Sequence, residues 1–406
     1  MSMHAAAKKV VRTLHEAGHT ALFAGGCVRD MVMGRRPNDY DVATSAEPPQ
    51  VIALFKKTQK VGAKFGVVLV HIGGHAIEVA TFRKDVGYTD GRHPTAVEFT
   101  DAREDALRRD FTINGMFYDP IGREVVDHVG GQADIRARLI RAIGKPDRRF
   151  HEAPLRLLRA IRLGARLKFT IESKTWSAIR KHAAEIRRIS PERVREELDM
   201  ILCDRNRAWA FDQLVAAGLL AHLWPSAATV LPRAQEIQDL LTALPKDADF
   251  ELGMAVIFGG MAPYDVDDAC DALRGSTEPK QPIGWLVART DALDDPQKVT
   301  LADLKLLMSH PAFPDLMSLL AARLKAAGLP PTAHRHISAR AKAIRLADVA
   351  PPPLLTGHDL PALGAKRGPA YKKILDRVYY AQLNEEIHDR AAAKALARQI
   401  IEELNQ

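Results

Sequence analysis

Two carboxylates two residues apart, Asp39 and Asp41, flank Tyr40 in the run NDYDVATS. In an extended chain, residues i and i+2 face the same side. Carboxylates held that close repel each other unless a cation separates them. An all-oxygen pair suits Mg²⁺ or Mn²⁺. Alone, Asp-x-Asp is more often a surface or turn feature than a metal site, so its neighbours matter. Upstream, Gly25-Gly26 closes one strand-like run and opens a helical one. Glycines there let backbone N–H groups approach phosphates at a helix N-terminus, although a tight turn asks for the same residues. Arg29, one turn into that helix, could pair with a triphosphate, and Asp30 could brace it. Glu78, in the strand-like IEVATFR, is a candidate third carboxylate or else an exposed strand glutamate.

The elements that must position these residues change character along the chain. TALFAGG and NDYDVATS read as strands, and CVRDMVMG and PPQVIALFKK as helices, the latter with proline tolerated in its first turn. FGVVLVHIGGHAIEVATFR reads as two strands turning at Gly73-Gly74, and FYDPIGREVVDH as a second hairpin. RKDVGYTDGRHPTAVEFT has little apolar periodicity and predicts a mobile loop, whereas EDALRRDFTINGM predicts a helix. From residue 131 onward, helix follows helix: GQADIRARLIRAI, APLRLLRAIRLGARL, SKTWSAIRKHAAEI and SPERVREELDMIL. A proline-rich break, Ala350-Pro351-Pro352-Pro353, precedes a basic helical tail. The outline is a small α/β head followed by a long all-α remainder.

Composition narrows the class. The 406 residues are 47% hydrophobic and 27% charged, as in a globular protein. No apolar run has the length of a membrane span, and the N-terminus lacks a signal-peptide core. The three cysteines, Cys27, Cys203 and Cys270, form no CxxC pair, so the expected compartment is the cytoplasm. Net charge is +8. Residues 141–200 hold 16 Lys and Arg against 8 Asp and Glu, so this stretch alone accounts for the whole excess. A local basic stretch on an otherwise neutral chain suggests a polyanion-binding face or a solvated helical surface.

Four motifs, GGCVRDMVMG, NDYDVATSAEP, RRDFTINGM and RFHEAPLRLLRAIR, resemble in order and spacing the class II tRNA nucleotidyltransferase and bacterial poly(A) polymerase family. The resemblance covers residues 20 to about 215 strongly and LLTGHDLPALGAKRGPAYKKIL weakly. It implies an α+β fold. A five-stranded polymerase-β-like head would span 1–140, with an elongated all-α neck (141–225), body (226–350) and tRNA-binding tail (351–406). It implies addition of CMP and AMP to the tRNA 3′ end, from CTP and ATP, with two Mg²⁺ ions or Mn²⁺ in their place. No membrane association and no obligate protein partner are expected. By motif, Gly25, Gly26 and Arg29 would hold the triphosphate, and Asp39 and Asp41 would be the metal ligands with Glu78 beside them. Arg109 would contact the nucleotide and Asp110 the sugar region. Glu152, Arg156, Arg159 and Arg162 would contact base and triphosphate. The three neck arginines recur every third residue and so share a helix face.

One position departs from the family. The neck motif there reads Glu-Asp-x-x-Arg, but here it is Glu152-Ala153-Pro154-Leu155-Arg156. The family's Asp accepts a hydrogen bond from the base amino group, which a methyl cannot do. The loss is worth roughly 1.5–3 kcal/mol if nothing replaces it. Glu152 could substitute, base choice could be relaxed or restricted to one nucleotide, or the protein could be a weakly active RNA-binding paralogue. The full-length segment between Arg83 and Phe99 argues by resemblance for AMP addition. CCA addition therefore leads, ahead of A addition alone and of poly(A) synthesis, for which a longer basic C-terminal extension than IIEELNQ would be expected. His358-Asp359 reads as a tail turn rather than a metal motif. Lys366, Arg367, Lys372 and Lys373 are candidates to touch RNA.

Overall fold

The computed structural model describes residues 1–62, 66–88, 94–273, 277–365 and 368–405. The chain forms two compact units: Met1–Ala234 with Asp268–Gly275, and Gln235–Asp267 with Ser276–Gln406.

The first unit begins with helix α1 (Met3–Glu16), whose Ser2 cap accepts from the Ala5 N–H at 3.2 Å. Small apolar residues at helical spacing let Ala6, Val10 and Leu14 pack fully buried on the sheet. There follow β1 (Ala21–Ala24), α2 (Gly26–Val32), β2 (Asp41–Thr44), α3 (Pro48–Leu54), β3 (Thr58–Gly62), β4 (Val67–Ile72) and β5 (His75–Thr81). Next come β6 (Arg83–Tyr88), β7 (Pro94–Phe99), α4 (Ala102–Arg108), β8 (Phe117–Asp119) and β9 (Glu124–Val126). The main sheet runs β3-β4-β5-β2-β1-β8-β9, and among these pairs only β2·β5 is parallel. It has seven strands, more than the five implied by resemblance, because β3 pairs outside β4 and the β8–β9 hairpin adds beside β1.

Three expectations need correction. The segment expected as a loop contains an antiparallel ribbon, with Arg83 opposite Phe99 and Tyr88 opposite Pro94. A ribbon apart from the main sheet needs no alternating apolar face, so its sequence carries none; its tip, 89–93, lies outside the described residues. The helix expected over EDALRRDFTINGM ends at Arg108, and Thr112–Asn114 forms a 3₁₀ turn. The helix expected over GQADIRARLIRAI is α5 (Gly131–Ala137), stopped by Arg138 in a left-handed conformation (φ 55°). The chain beyond it forms β10 (Leu139–Ile140).

The same unit continues as α6 (Pro146–Glu152), α7 (Leu155–Leu167), β11 (Thr170–Ile171, parallel to β10), α8 (Ser173–His182), α9 (Pro191–Leu202) and α10 (Arg207–Ala216). Helix α7 buries Leu157, Leu158 and Ile161 completely and packs on α9 and α10. Gly164 admits Trp209 of α10: a Cβ there would lie 2.6 Å from the ring.

The second unit is helical. Helices Phe250–Phe258, Leu301–Met308, Phe313–Ala326 and Thr332–Ala343 surround a core that includes Leu286, Leu304, Leu316 and Ile337. Helices Ala370–Leu383 and Arg390–Asn405 meet over Leu360, Ile374, Val378 and Ala397. Asp359 accepts from the Thr356 N–H at 2.8 Å and pairs with Arg390, which makes His358-Asp359 part of a turn. Lys366 and Arg367 lie outside the described residues. Among the described residues, no helix is long and apolar enough to cross a membrane.

Candidate active site

Strand register assembles the acidic floor. In β1–β2, Ala24 stands opposite Asp41, so the Gly25-Gly26 turn begins beside that carboxylate. In the parallel β2–β5 pair, Val42 stands opposite Val79, which brings Glu78 alongside Asp41 on the same face. Only Asp41 belongs to the strand; Asp39 lies in the lead-in. The alternation still holds there, because Tyr40 turns inward onto Phe23 (ring centroids 5.3 Å apart) and is buried. Among the described residues, neither Asp39 nor Asp41 has a hydrogen-bond or ion-pair partner through its carboxylate. Desolvation, reinforced by the charges of Glu78 and Asp39 and opposed by Arg109, pushes Asp41 up to about 6. A hard divalent cation would relieve that crowding, and the all-oxygen donor set fits one.

Gly25 has φ 75°, and a Cβ there would lie 3.2 Å from an Arg109 guanidinium nitrogen. Both the turn and the close approach therefore require glycine. Arg29, on α2, is fixed from two sides: Asp30 accepts at 2.8 Å and Asn114 at 2.9 Å. The Asn114 amide in turn donates to Asp110 at 3.3 Å. Just past the end of α4, Arg109 is gripped by Asp105, which accepts at 3.1 and 2.9 Å. Burial alone would raise Asp105, but the charges of Arg109 and Arg108 outweigh it and hold the carboxyl low.

Helix α7 supplies the opposing wall. Arg159 pairs with Asp110 at 2.7 Å, and Arg162 with Glu197 of α9 at 2.6 Å. Burial would raise Asp110 too, but Arg159, Arg156, the Phe111 N–H and Asn114 hold it below the ordinary carboxylate range. Glu197 stays raised because desolvation exceeds the attraction of Arg162 and Arg159. Arg156 donates to the carbonyls of Arg149 (3.1 Å) and Arg108 (3.2 Å), and Arg149 donates to the carbonyl of Arg109 at 2.8 Å. These bonds tie the neck to the end of α4.

One cleft of about 580 Å³ gathers Gly25, Gly26, Arg29, Asp39, Asp41, Arg109, Asp110, Arg156, Arg159 and Arg162. Two expected residues do not line it. Glu78 flanks Asp41 without reaching the lining. Glu152 turns to Arg148 (2.7 Å) and Arg149 (2.8 Å), while the methyl of Ala153 does line the cleft. Glu152 is thus engaged on its own helix, and its carboxylate also lies 4.0 Å from Arg156, a residue of the cleft. Sequence reasoning missed Asp105, Asn114, Arg149 and Glu197. Asn114 lies inside the recognised RRDFTINGM run, four residues after Asp110, and that spacing was the available signal.

Residues 21–141 match the Poly A polymerase head domain, and residues 168–231 match the probable RNA and SrmB-binding site of polymerase A. A CCA-adding enzyme of Lactiplantibacillus plantarum is 41% identical over 54% of each chain, so the chain spans about half the length of that relative. Another, from Lactobacillus delbrueckii subsp. bulgaricus, is 36% identical over 71% of this chain and 72% of its own. The solved Bacillus stearothermophilus CCA-adding enzyme in complex with CTP superposes with a TM-score of 0.80 at 28% identity and covers 100% of both chains. With 36% identity over 71% of this chain and 72% of that relative, and a fold shared over the full length of both chains, the chain belongs to the family of CCA-adding enzymes.

Proposed function

We propose that this chain adds CMP and AMP from CTP and ATP to the 3′ end of tRNA and releases pyrophosphate. The observation that carries the reading is the single cleft in which the unpartnered Asp39 and Asp41 face the arginines of α7. Asp39 and Asp41 would hold two Mg²⁺ ions, for which Mn²⁺ can substitute, with Glu78 adding negative charge behind them. Bound there, the ions would favour the ionised 3′-hydroxyl and neutralise charge on the departing pyrophosphate. The 3′-oxygen bonds to the α-phosphorus, the α–β phosphoanhydride bond breaks, and the hydroxyl proton leaves to solvent.

The chain's own residues mainly position the reactants and neutralise charge, which is what phosphoryl-type transfer needs most. Arg29 and the Gly25-Gly26 turn would hold the triphosphate. Arg109 would contact the nucleotide and Asp110 the sugar region. Arg156, Arg159 and Arg162 would meet base and phosphates. Residues 1–140 would then act as catalytic head, 141–225 as base-reading neck, 226–350 as body and 351–406 as the tRNA-binding tail. Ala153 leaves one base-edge acceptor unmade.

The test is to incubate the purified protein with tRNA ending at the discriminator base, at CC and at CCA. CTP and ATP are supplied separately and together, and the products are sized. Addition of two C residues and then one A, with none on CCA ends, supports the proposal. Extension of CC ends by A alone, long A tracts, or tRNA binding without incorporation would replace it with A addition, poly(A) synthesis or a binding role.

A further inference from the structure

A second cluster of metal-ligating groups lies on the neck, apart from the residues of the cleft. His151 stands in the last turn of α6, His182 ends α8, and Glu185 sits in the 3₁₀ turn Ala183–Arg188 that follows. Nδ1 of His151 lies 2.9 Å from one Glu185 oxygen, and Nδ1 of His182 lies 2.6 Å from the other. The ligand atoms of all three residues fall within 4.8 Å of one another, the only such trio of His, Cys, Asp or Glu among the described residues. The second nitrogen of His182, Nε2, is 2.9 Å from Asp147. That is the outer carboxylate arrangement that fixes the tautomer of a metal-binding imidazole, with Nδ1, which here meets Glu185, left to ligate once deprotonated.

We propose that His151, His182 and Glu185 form a transition-metal site, for Zn²⁺ or a similar borderline divalent ion, that clamps the end of α6 to the end of α8. Two imidazoles and one carboxylate form a set that favours Zn²⁺ over Mg²⁺ and leaves a fourth position for water. Ligands around tetrahedral zinc stand about 3.4 Å apart, so the present contacts must open slightly. His151, 67% exposed, can swing to open its own contact, and the 2.6 Å contact of the 12% exposed His182 opens only if Glu185, 24% exposed, turns as well. Two cations already share these carboxylates: Lys181 is 2.8 Å from Asp147, and Arg188 is 2.9 Å from Glu185. The metal must compete with them, so a weakly held ion such as Mg²⁺ would not displace them. The clamp would steady the helix that leads directly into Ala153, and the inference stands whether or not the chain adds CCA.

The test titrates Co²⁺, then Zn²⁺, into the full-length protein under excess Mg²⁺, which fills the Asp39–Asp41 floor. The visible bands of cobalt and the melting temperature are followed. The expected result is one equivalent of Co²⁺ with intense low-coordinate bands, displaced by Zn²⁺, and a higher melting temperature. Asp39→Ala should keep this site, and Asp147→Asn should weaken it about 10-fold to 100-fold. His182→Gln should lose it, as should Glu185→Gln, which preserves side-chain shape should the histidine variant misfold. Absence of stoichiometric cobalt binding in the wild type overturns the proposal. So does unchanged binding in folded His182→Gln or Glu185→Gln, which would leave the cluster as a hydrogen-bonded helix junction.

Discussion

The two walls of the cleft treat charge in opposite ways. On the sheet side, Asp39 and Asp41 have no partner among the described residues, and crowding raises Asp41 to about 6. On the helical side, Arg159 and Arg162 are each matched to a carboxylate, and Arg156 is spent on backbone carbonyls. The carboxylate floor is therefore completed only by a ligand from outside. The arginine wall is pre-organised by the protein itself. Pre-organised donors lose little freedom when a nucleotide arrives, whereas a crowded acidic pair, offset only in part by Arg109, would gain from a bound cation.

The sharpest way to break this contrast is to remove the floor. Asp41→Ala should lower nucleotide incorporation on the order of 10³-fold or more, a loss at least as large as that of one key transition-state contact. Circular dichroism and urea unfolding should show the fold intact, because that carboxylate supports no packing. The wall should respond the other way. Asp110→Ala leaves Arg159 without its partner and should destabilise the protein by about 2 kcal/mol, below the range for fully buried pairs because Arg159 reaches solvent. Its urea midpoint would fall, and an unchanged midpoint would show that the wall is not held by this pair.

A subtler probe concerns base choice. Ala153→Asp should improve selection of C and A over U and G by about 10-fold, the low end of one charge-assisted hydrogen bond. Single-nucleotide incorporation measures it, and unchanged selectivity would mean that another group already reads the base edge. The smallest effect is on stability. The folded pKa of Asp41 is raised above its ordinary value, so its ionisation favours the unfolded chain once pH rises through about 6. In chelator at neutral pH, Asp41→Asn should therefore melt slightly above wild type, by at most about 1 kcal/mol given solvent screening. The gain should shrink toward pH 4 and reverse when Mg²⁺ is added. A variant that melts below wild type in chelator would contradict the crowded floor.

Much of this site was legible in the chain. The floor was, because Asp39 and Asp41 stand two residues apart and alternation alone sets their common face. The Gly25-Gly26 turn and the arginine stripe on α7 were legible for the same local reason. What stayed hidden was the bracing. Asn114 holds Arg29 across 85 positions, and Glu197 holds Arg162 across 35, distances over which no periodicity speaks. The ribbon β6–β7 was missed because its sequence has little apolar periodicity. The pairing of Glu152 with Arg148 and Arg149 was not legible, although both lie one turn back on its own helix.

The central claim is that chemistry waits for a metal at the Asp39–Asp41 floor. A single-turnover experiment tests it directly. The protein is pre-mixed with radiolabelled CTP and tRNA ending at the discriminator base in chelator, and excess Mg²⁺ is then added while product is followed in time. The account predicts no product before Mg²⁺ and a prompt burst of CMP addition after it, absent in Asp41→Ala. Incorporation in chelator, or an equal burst from Asp41→Ala, would contradict it.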